Sequence, residues 1–166
     1  MTRTEFPISP NRDPVTGRRA PQYFDGIDLD NCTVSTSYEE FAALWQYRQP
    51  VWPERVGWVL SSALDACNLD VLRFLFDSNI VAIGDVRRNS LYHLISVWSS
   101  PRYANNARGE RMLTYLLERG LDIESPFSEA SPTTLLDVVR SNGVPHQIAF
   151  LERALRGELG AVPMQE

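Results

Sequence analysis

Two stretches of sequence that align without a gap decide the fold: NLDVLRFLFDSN, residues 68–79, and GERMLTYLLERG, residues 109–120. Each stretch carries one apolar pair and a second pair one turn later, the spacing that gives a helix one buried face. The pairs are Val71/Leu72 with Leu75/Phe76, and Met112/Leu113 with Leu116/Leu117. Asn79 and Gly120 then close the stretches, and both residue types favour the left-handed turn that ends a helix. The two stretches therefore predict repeated helices with one type of ending.

Further helices are predicted on both sides of these stretches. A third, looser copy runs from Gln147 to Leu155, and the copies are preceded by the helix openings Ser90-Leu-Tyr-His93, Thr134-Leu-Leu-Asp137 and a degenerate Trp58-Val-Leu-Ser61. Upstream, Ser37 followed by Glu40 is a capping-box pattern that predicts a helix over about residues 37–48. Pro53 fits the first turn of the next helix, whose buried stripe would hold Val56, Val59, Leu60 and Ala63. Trp52 and Trp58 are expected to pack against this first repeat.

This arrangement resembles the ankyrin-repeat family, in which a turn, a helix opening T-P-L-H, a second helix and an L-L-x-x-G-A-D loop recur about every 33 residues. The stretch Leu116-Leu-Glu-Arg-Gly-Leu-Asp-Ile123 carries the resemblance most specifically, and about three repeats cover residues 56–156. The resemblance implies an all-α fold, a short ankyrin-like solenoid of stacked helix pairs. Two departures stand out. About 11 residues are inserted relative to the family period, mostly over residues 97–107, and Leu91 and Leu135 replace the proline of the opening.

The chain divides into three parts. Residues 1–34, rich in proline and glycine, predict an extended N-terminal arm; residues 35–156 form the helical repeat domain; residues 157–166 are a C-terminal tail. The arm is either disordered or docked on the domain through Tyr23, Phe24, Ile27 and Leu29.

Composition excludes several classes of function. The 166 residues contain 21 acidic and 16 basic side chains, a net charge of −5, and all the basic residues are arginine. The absence of lysine excludes a Walker-type phosphate site and Schiff-base chemistry. The negative balance argues against a nucleic-acid partner. Cys32 and Cys67 form no zinc motif and are expected to be reduced thiols. Glu5, Pro7 and Pro10 interrupt the first residues, so no signal peptide is expected, and no apolar run is long enough to cross a bilayer. A cytoplasmic protein without a membrane partner is therefore expected.

Few residues point to catalysis. His93 takes the histidine position of the ankyrin opening, which implies a structural hydrogen bond. His146 lacks a second ligand at metal-binding spacing, and Asp137 is expected to cap its helix. We therefore expect no enzyme, no metal and no cofactor. A small hydrolase using His93, Asp137 or His146 is the less favoured alternative.

Candidate partner-binding residues fall in the predicted loops. They are Arg87, Arg88 and Asn89 in one turn, Trp98, Arg102 and Tyr103 in the insertion, and Phe127 and Glu129 in a later turn. Tryptophan, tyrosine and arginine are the residue types enriched at interface hot spots. Two alternatives remain open: the first turn is simply solvated, or Trp98 caps the core beneath its loop.

These features predict a non-catalytic protein–protein interaction module. It would bind one dedicated partner and neutralise or escort it, as a bacterial immunity protein does with its cognate toxin; an acidic chain suits the masking of a basic enzyme surface. The alternatives are an ankyrin-type adaptor or regulatory subunit and a secreted effector. The oligomeric state stays open.

Overall fold

The computed structural model describes residue 29 and residues 36–86, 91–92, 94–95, 98, 107–126 and 129–160. Within these ranges the protein is helical, which confirms the predicted all-α class. The helices are α1 (Tyr38–Tyr47), α2 (Pro53–Asp65), α3 (Leu69–Asp77), α4 (Ala107–Glu118), α5 (Leu135–Asn142) and α6 (Pro145–Leu155). A short 3-10 turn covers Ile83–Asp85, and residues 91, 92, 94, 95 and 98 are also helical.

The first two helices begin where the sequence predicts. The Ser37 side chain accepts a hydrogen bond from the Glu40 backbone N–H at 3.2 Å, which satisfies one unpaired donor at the start of α1. Pro53 occupies the first position of α2, where a missing N–H is not costly. The predicted stripe of α2 is buried at Val59, Leu60 and Ala63, and Leu64 extends it. Val56 is half-buried.

The repeated helices end in the same way. Asn79, Gly120 and Gly157 follow α3, α4 and α6 with φ angles of 54°, 97° and 69°. In each case the next N–H donates to the carbonyl five residues earlier: Ile80 to Leu75, Leu121 to Leu116 and Glu158 to Arg153, all at 2.9 Å. These bonds satisfy carbonyls that the helix end would otherwise leave unpaired. The left-handed endings predicted at Asn79 and Gly120 are confirmed.

Helix α3 lies at the centre of the N-terminal half and contacts α1, α2 and α4. Its Phe74 ring packs edge-on against Tyr38 at 5.5 Å and Phe41 at 5.3 Å, measured between ring centroids. Aromatic rings favour this geometry because the positive ring edge meets the negative face. The apolar pairs of α3 are buried, as are Met112, Leu113 and Leu116 of α4.

The segment before α1 is tied to α3 by a buried asparagine. Asn68 caps α3 by accepting from the Val71 N–H at 3.0 Å, and its amide donates to the Thr36 carbonyl at 2.8 Å. Leu29 of the predicted arm is buried in the core, which confirms docking for that one residue. Residues 1–28 and 30–35 lie outside the described ranges.

Helices α5 and α6 contact each other around a tight turn. Thr134 and Asp137 form a reciprocal capping box: the Thr134 N–H donates to Asp137 at 3.0 Å, and the Asp137 N–H donates to the Thr134 hydroxyl at 3.1 Å. The helix-capping role predicted for Asp137 is therefore confirmed. Gly143 ends α5 with a left-handed φ of 67°, and Pro145 opens α6.

Candidate binding surfaces

Most of the predicted contact residues cannot be placed. Six of them fall outside the described residues: Arg87, Arg88, Asn89, Arg102, Tyr103 and Phe127. Glu129 is described and exposed. The loops that hold these residues therefore stay predictions.

Trp98 is a correction to the predicted binding set. Its side chain is 0% exposed, so it offers no surface to a partner. The indole ring packs edge-on against Phe150 at 5.4 Å and His146 at 5.8 Å between centroids. It also faces Gly109 of α4 at a distance that leaves no room for a Cβ atom, which would lie 2.8 Å from the ring. The alternative in which Trp98 belongs to the core is the one that the structure supports.

The prediction for Trp52 and Trp58 also has to be corrected, here from buried to exposed. Both were expected to pack against the first repeat, yet their side chains are 72% and 68% exposed. Tyr47, at the end of α1, is also exposed, with the Arg48 guanidinium 5.4 Å from its ring centroid. We refer to the exposed side chains of Tyr47, Trp52 and Trp58 together as the aromatic surface, a name that describes their exposure and not a contact between them.

The local fold explains why the two tryptophans face outward. Trp52 precedes the first residue of α2, so its side chain belongs to the helix entrance rather than to the buried stripe. Trp58 lies on the helical face that carries Glu54, also exposed, while Val59 and Leu60 turn into the core. Gly57 beside it is open, because a Cβ added there would meet no atom within 4 Å. The face around Trp58 is therefore accessible.

Exposed indoles are a large source of binding free energy. A tryptophan side chain has roughly 200 Å² of surface, so each of these two residues leaves about 140 Å² exposed. At about 25 cal/mol per Å², covering either one would contribute up to about 3–4 kcal/mol before the costs of association. Tryptophan is also among the residue types that are enriched at interface hot spots. Sequence reasoning missed this surface.

The remaining polar residues that the sequence analysis considered are His93, His146 and Cys67. His93 is not described, and His146 is an exposed residue in the first turn of α6. Burial, with the nearby Asp65 carboxylate adding to it, raises the pKa of the Cys67 thiol to about 11. Cys67 therefore stays a protonated, buried thiol at neutral pH. In the part of the chain that the structure describes, no three or more His, Cys, Asp or Glu side chains are grouped to hold a metal ion.

No family model, curated protein or solved structure matches the chain. The helices in the described ranges are all too short or too polar to span a membrane.

Proposed function

We propose that this protein is a non-catalytic interaction module that binds one dedicated protein partner and neutralises or escorts it in the cytoplasm. The observation that carries the proposal is the exposure of Trp52 and Trp58, the two most exposed large apolar side chains among the described residues. Water-exposed indoles are unfavourable for an isolated domain and favourable for one that is covered by a partner.

The proposed architecture is an ankyrin-like solenoid of about three repeats. Three helices with equivalent left-handed endings, at Asn79, Gly120 and Gly157, support it. Contacts between successive copies also support it: the Phe76 and Tyr115 rings pack edge-on at 5.8 Å, and Arg119 pairs with Asp77 at 3.1 Å. Stacked repeats form extended surfaces suited to protein recognition.

An immunity protein against a cognate bacterial toxin is the specific form of this proposal. The net charge of −5 suits a protein that covers a basic enzyme surface, because opposite charges increase the rate of encounter and exclude wrong partners. In this account the aromatic surface contributes apolar contacts. The predicted loop residues Arg87, Arg88, Asn89, Arg102, Tyr103, Phe127 and Glu129 complete the interface.

Affinity capture from the native lysate tests the proposal. The tagged full chain is incubated with lysate and washed at high salt, and the retained proteins are identified by mass spectrometry with stoichiometry. We expect one stoichiometric partner that arrests growth when expressed alone and is tolerated when co-expressed with this chain. Several substoichiometric partners would instead support the adaptor or regulatory alternative. A turnover measured for the purified chain and lost in a folded His146→Ala or Asp137→Asn variant would contradict the non-catalytic assignment.

A further inference from the structure

An open groove of about 490 Å³ lies between the end of α4 and the end of α6. This volume falls in the range of roughly 300–1,000 Å³ that binding sites typically have. Apolar side chains line it together with three exposed carboxylates: Leu117, Leu121 and Leu155, with Glu118, Asp122 and Glu124. Among the described residues, no arginine lines it. The groove is therefore apolar with an acidic rim.

The junction between α3 and α4 shows how the corresponding position is filled one repeat earlier. Asp77, two residues before the left-handed Asn79, pairs with Arg119, one residue before the left-handed Gly120, at 3.1 Å. The Arg119 guanidinium also lies 4.9 Å from the ring centroid of Tyr115. At this junction an aromatic ring and a guanidinium occupy the space between the two helix ends.

The equivalent junction between α4 and α6 has different residues at these positions. Glu152, five residues before Gly157, takes the place that Tyr115 has before Gly120. Arg156 takes the place of Arg119, but it pairs with Glu158 on its own turn, with N–O distances of 2.7 and 3.0 Å.

The carboxylate equivalent to Asp77 is Glu118, and it lines the groove. Leu155, at the same junction, is 40% exposed.

We infer that this groove binds a cationic segment of a partner protein. An aromatic or large aliphatic side chain of that segment enters the groove against Leu117 and Leu155. A neighbouring arginine or lysine reaches the rim at Asp122 and Glu124, where charge-assisted hydrogen bonds to carboxylates favour a cation. The inference rests on the proposed function and adds a second recognition site, separate from the aromatic surface.

A displayed library of random twelve-residue peptides, selected against the full chain, tests this inference. The selected peptides are synthesised and titrated by fluorescence anisotropy, and their site is located from the amide NMR signals of Gly120, Gly157 and Gly160, which line the groove. We expect peptides enriched in arginine or lysine next to an aromatic or leucine residue. Their addition should shift these three glycine signals.

Two groove variants and one control sharpen the test. The double variant Asp122→Asn/Glu124→Gln removes two negative charges. It keeps a side-chain oxygen at position 122, which can still accept the hydrogen bond that the backbone N–H of residue 124 donates to Asp122 at 2.9 Å. This variant should bind the selected peptides at least tenfold more weakly than the unmodified chain does. Ala154→Phe fills the groove and should weaken them by the same factor or more. The control, Glu39→Gln/Asp65→Asn, removes two exposed charges from α1 and α2 and should change affinity less than twofold.

Selection of acidic peptides, failure to select any peptide, or equal binding by the charge variant and the control would overturn the inference. Tighter binding by at least tenfold in a chain ending at Gly160 would also overturn it, because residues 161–166 would then be the occupant. In each of these cases the proposed function stands if lysate capture still retains its stoichiometric partner. If the unmodified chain captured no stoichiometric partner from the lysate, both the groove inference and the proposed function would be contradicted.

Discussion

Replacing Gly109 by alanine tests how Trp98, at the start of the insertion, packs on α4. Gly109 is buried, and a Cβ atom there would lie 2.8 Å from Cγ and Cδ1 of Trp98 and 3.0 Å from its Cβ. Real Cβ atoms essentially never make contacts under 3.0 Å, so the indole or the helix must move. The indole is itself packed against Phe150, which leaves it little room.

Two effects of opposite sign decide the outcome. Alanine in a helix interior is favoured over glycine by about 1 kcal/mol. Adding a methyl group to a filled core costs about 1–3 kcal/mol. We therefore expect Gly109→Ala to lower the free energy of unfolding by about 1 kcal/mol. Gly57→Ala is the matched control, because Gly57 lies within α2 with no atom within 4 Å of an added Cβ, and it should gain up to about 1 kcal/mol.

Urea unfolding followed by circular dichroism measures both variants as shifts in midpoint at constant slope. The expected shifts have opposite signs. In a Trp98→Ala background, which removes Cγ and Cδ1 and leaves only the Cβ contact at 3.0 Å, the penalty at residue 109 should become smaller, and this coupling identifies the contact. Equal stabilisation by Gly109→Ala and Gly57→Ala in the unmodified chain would refute the packing of Trp98 on α4.

Three further predictions follow from single contacts. Asn68→Ala should lower the free energy of unfolding by about 2–4 kcal/mol in urea titrations, because it removes a helix cap and the buried hydrogen bond to the Thr36 carbonyl. Asn68→Asp keeps the capping oxygen but cannot donate to that carbonyl, so an Asn68→Asp chain as stable as the unmodified one would argue against the Thr36 bond. Hydrogen bonds from Thr134, first from its backbone N–H and then from its hydroxyl, lower the pKa of Asp137 from its usual value. The stability from this pair is therefore present at neutral pH and is lost as pH falls through the folded-state pKa, so urea midpoints from pH 6 to 2.5 should fall less steeply in Asp137→Asn. Cys67, with its raised pKa and buried thiol, should react with iodoacetamide at pH 8 far more slowly in a folded Cys32→Ser chain than in the same chain in urea, and equal rates would mean that the thiol is exposed.

Local features of the fold could be predicted from the sequence because they depend on neighbouring residues. The helix endings at Asn79 and Gly120 need only a residue that tolerates positive φ after an apolar stripe. The capping box of Thr134 and Asp137 depends on residues three positions apart. Such signals are complete within one helix turn, so they survive without knowledge of the tertiary structure.

The exposed tryptophans were missed although α2 carries a signal for one of them. At 100° per residue, Trp58 lies roughly 150° around the helix from the centre of the stripe formed by Val56, Val59, Leu60 and Ala63. Its size and hydrophobicity favoured a core assignment, while its angular position indicates the opposite face. The prediction for Trp98 left two alternatives open because its environment depends on Gly109 and Phe150, which are distant in sequence.

The groove between α4 and α6 could not be predicted from one repeat. It is lined by residues at the end of α4 and at the end of α6, which belong to different copies. Its position depends on how these two helix ends approach each other in three dimensions. The alignment of the third copy with the first two was too loose to predict which of its residues meet the end of α4.

The most direct test of the central claim is the capture of the native partner by a chain whose aromatic surface is altered. Trp52→Ala/Trp58→Ala removes two exposed side chains and should change the free energy of unfolding by less than about 1 kcal/mol. Glu39→Ala/Arg140→Ala, at two exposed sites on α1 and α5, is the charge-neutral control. The account predicts that the tryptophan variant loses at least nine-tenths of the retained partner, a tenfold weakening or more, while the control retains it. Undiminished capture by the folded tryptophan variant would contradict the account.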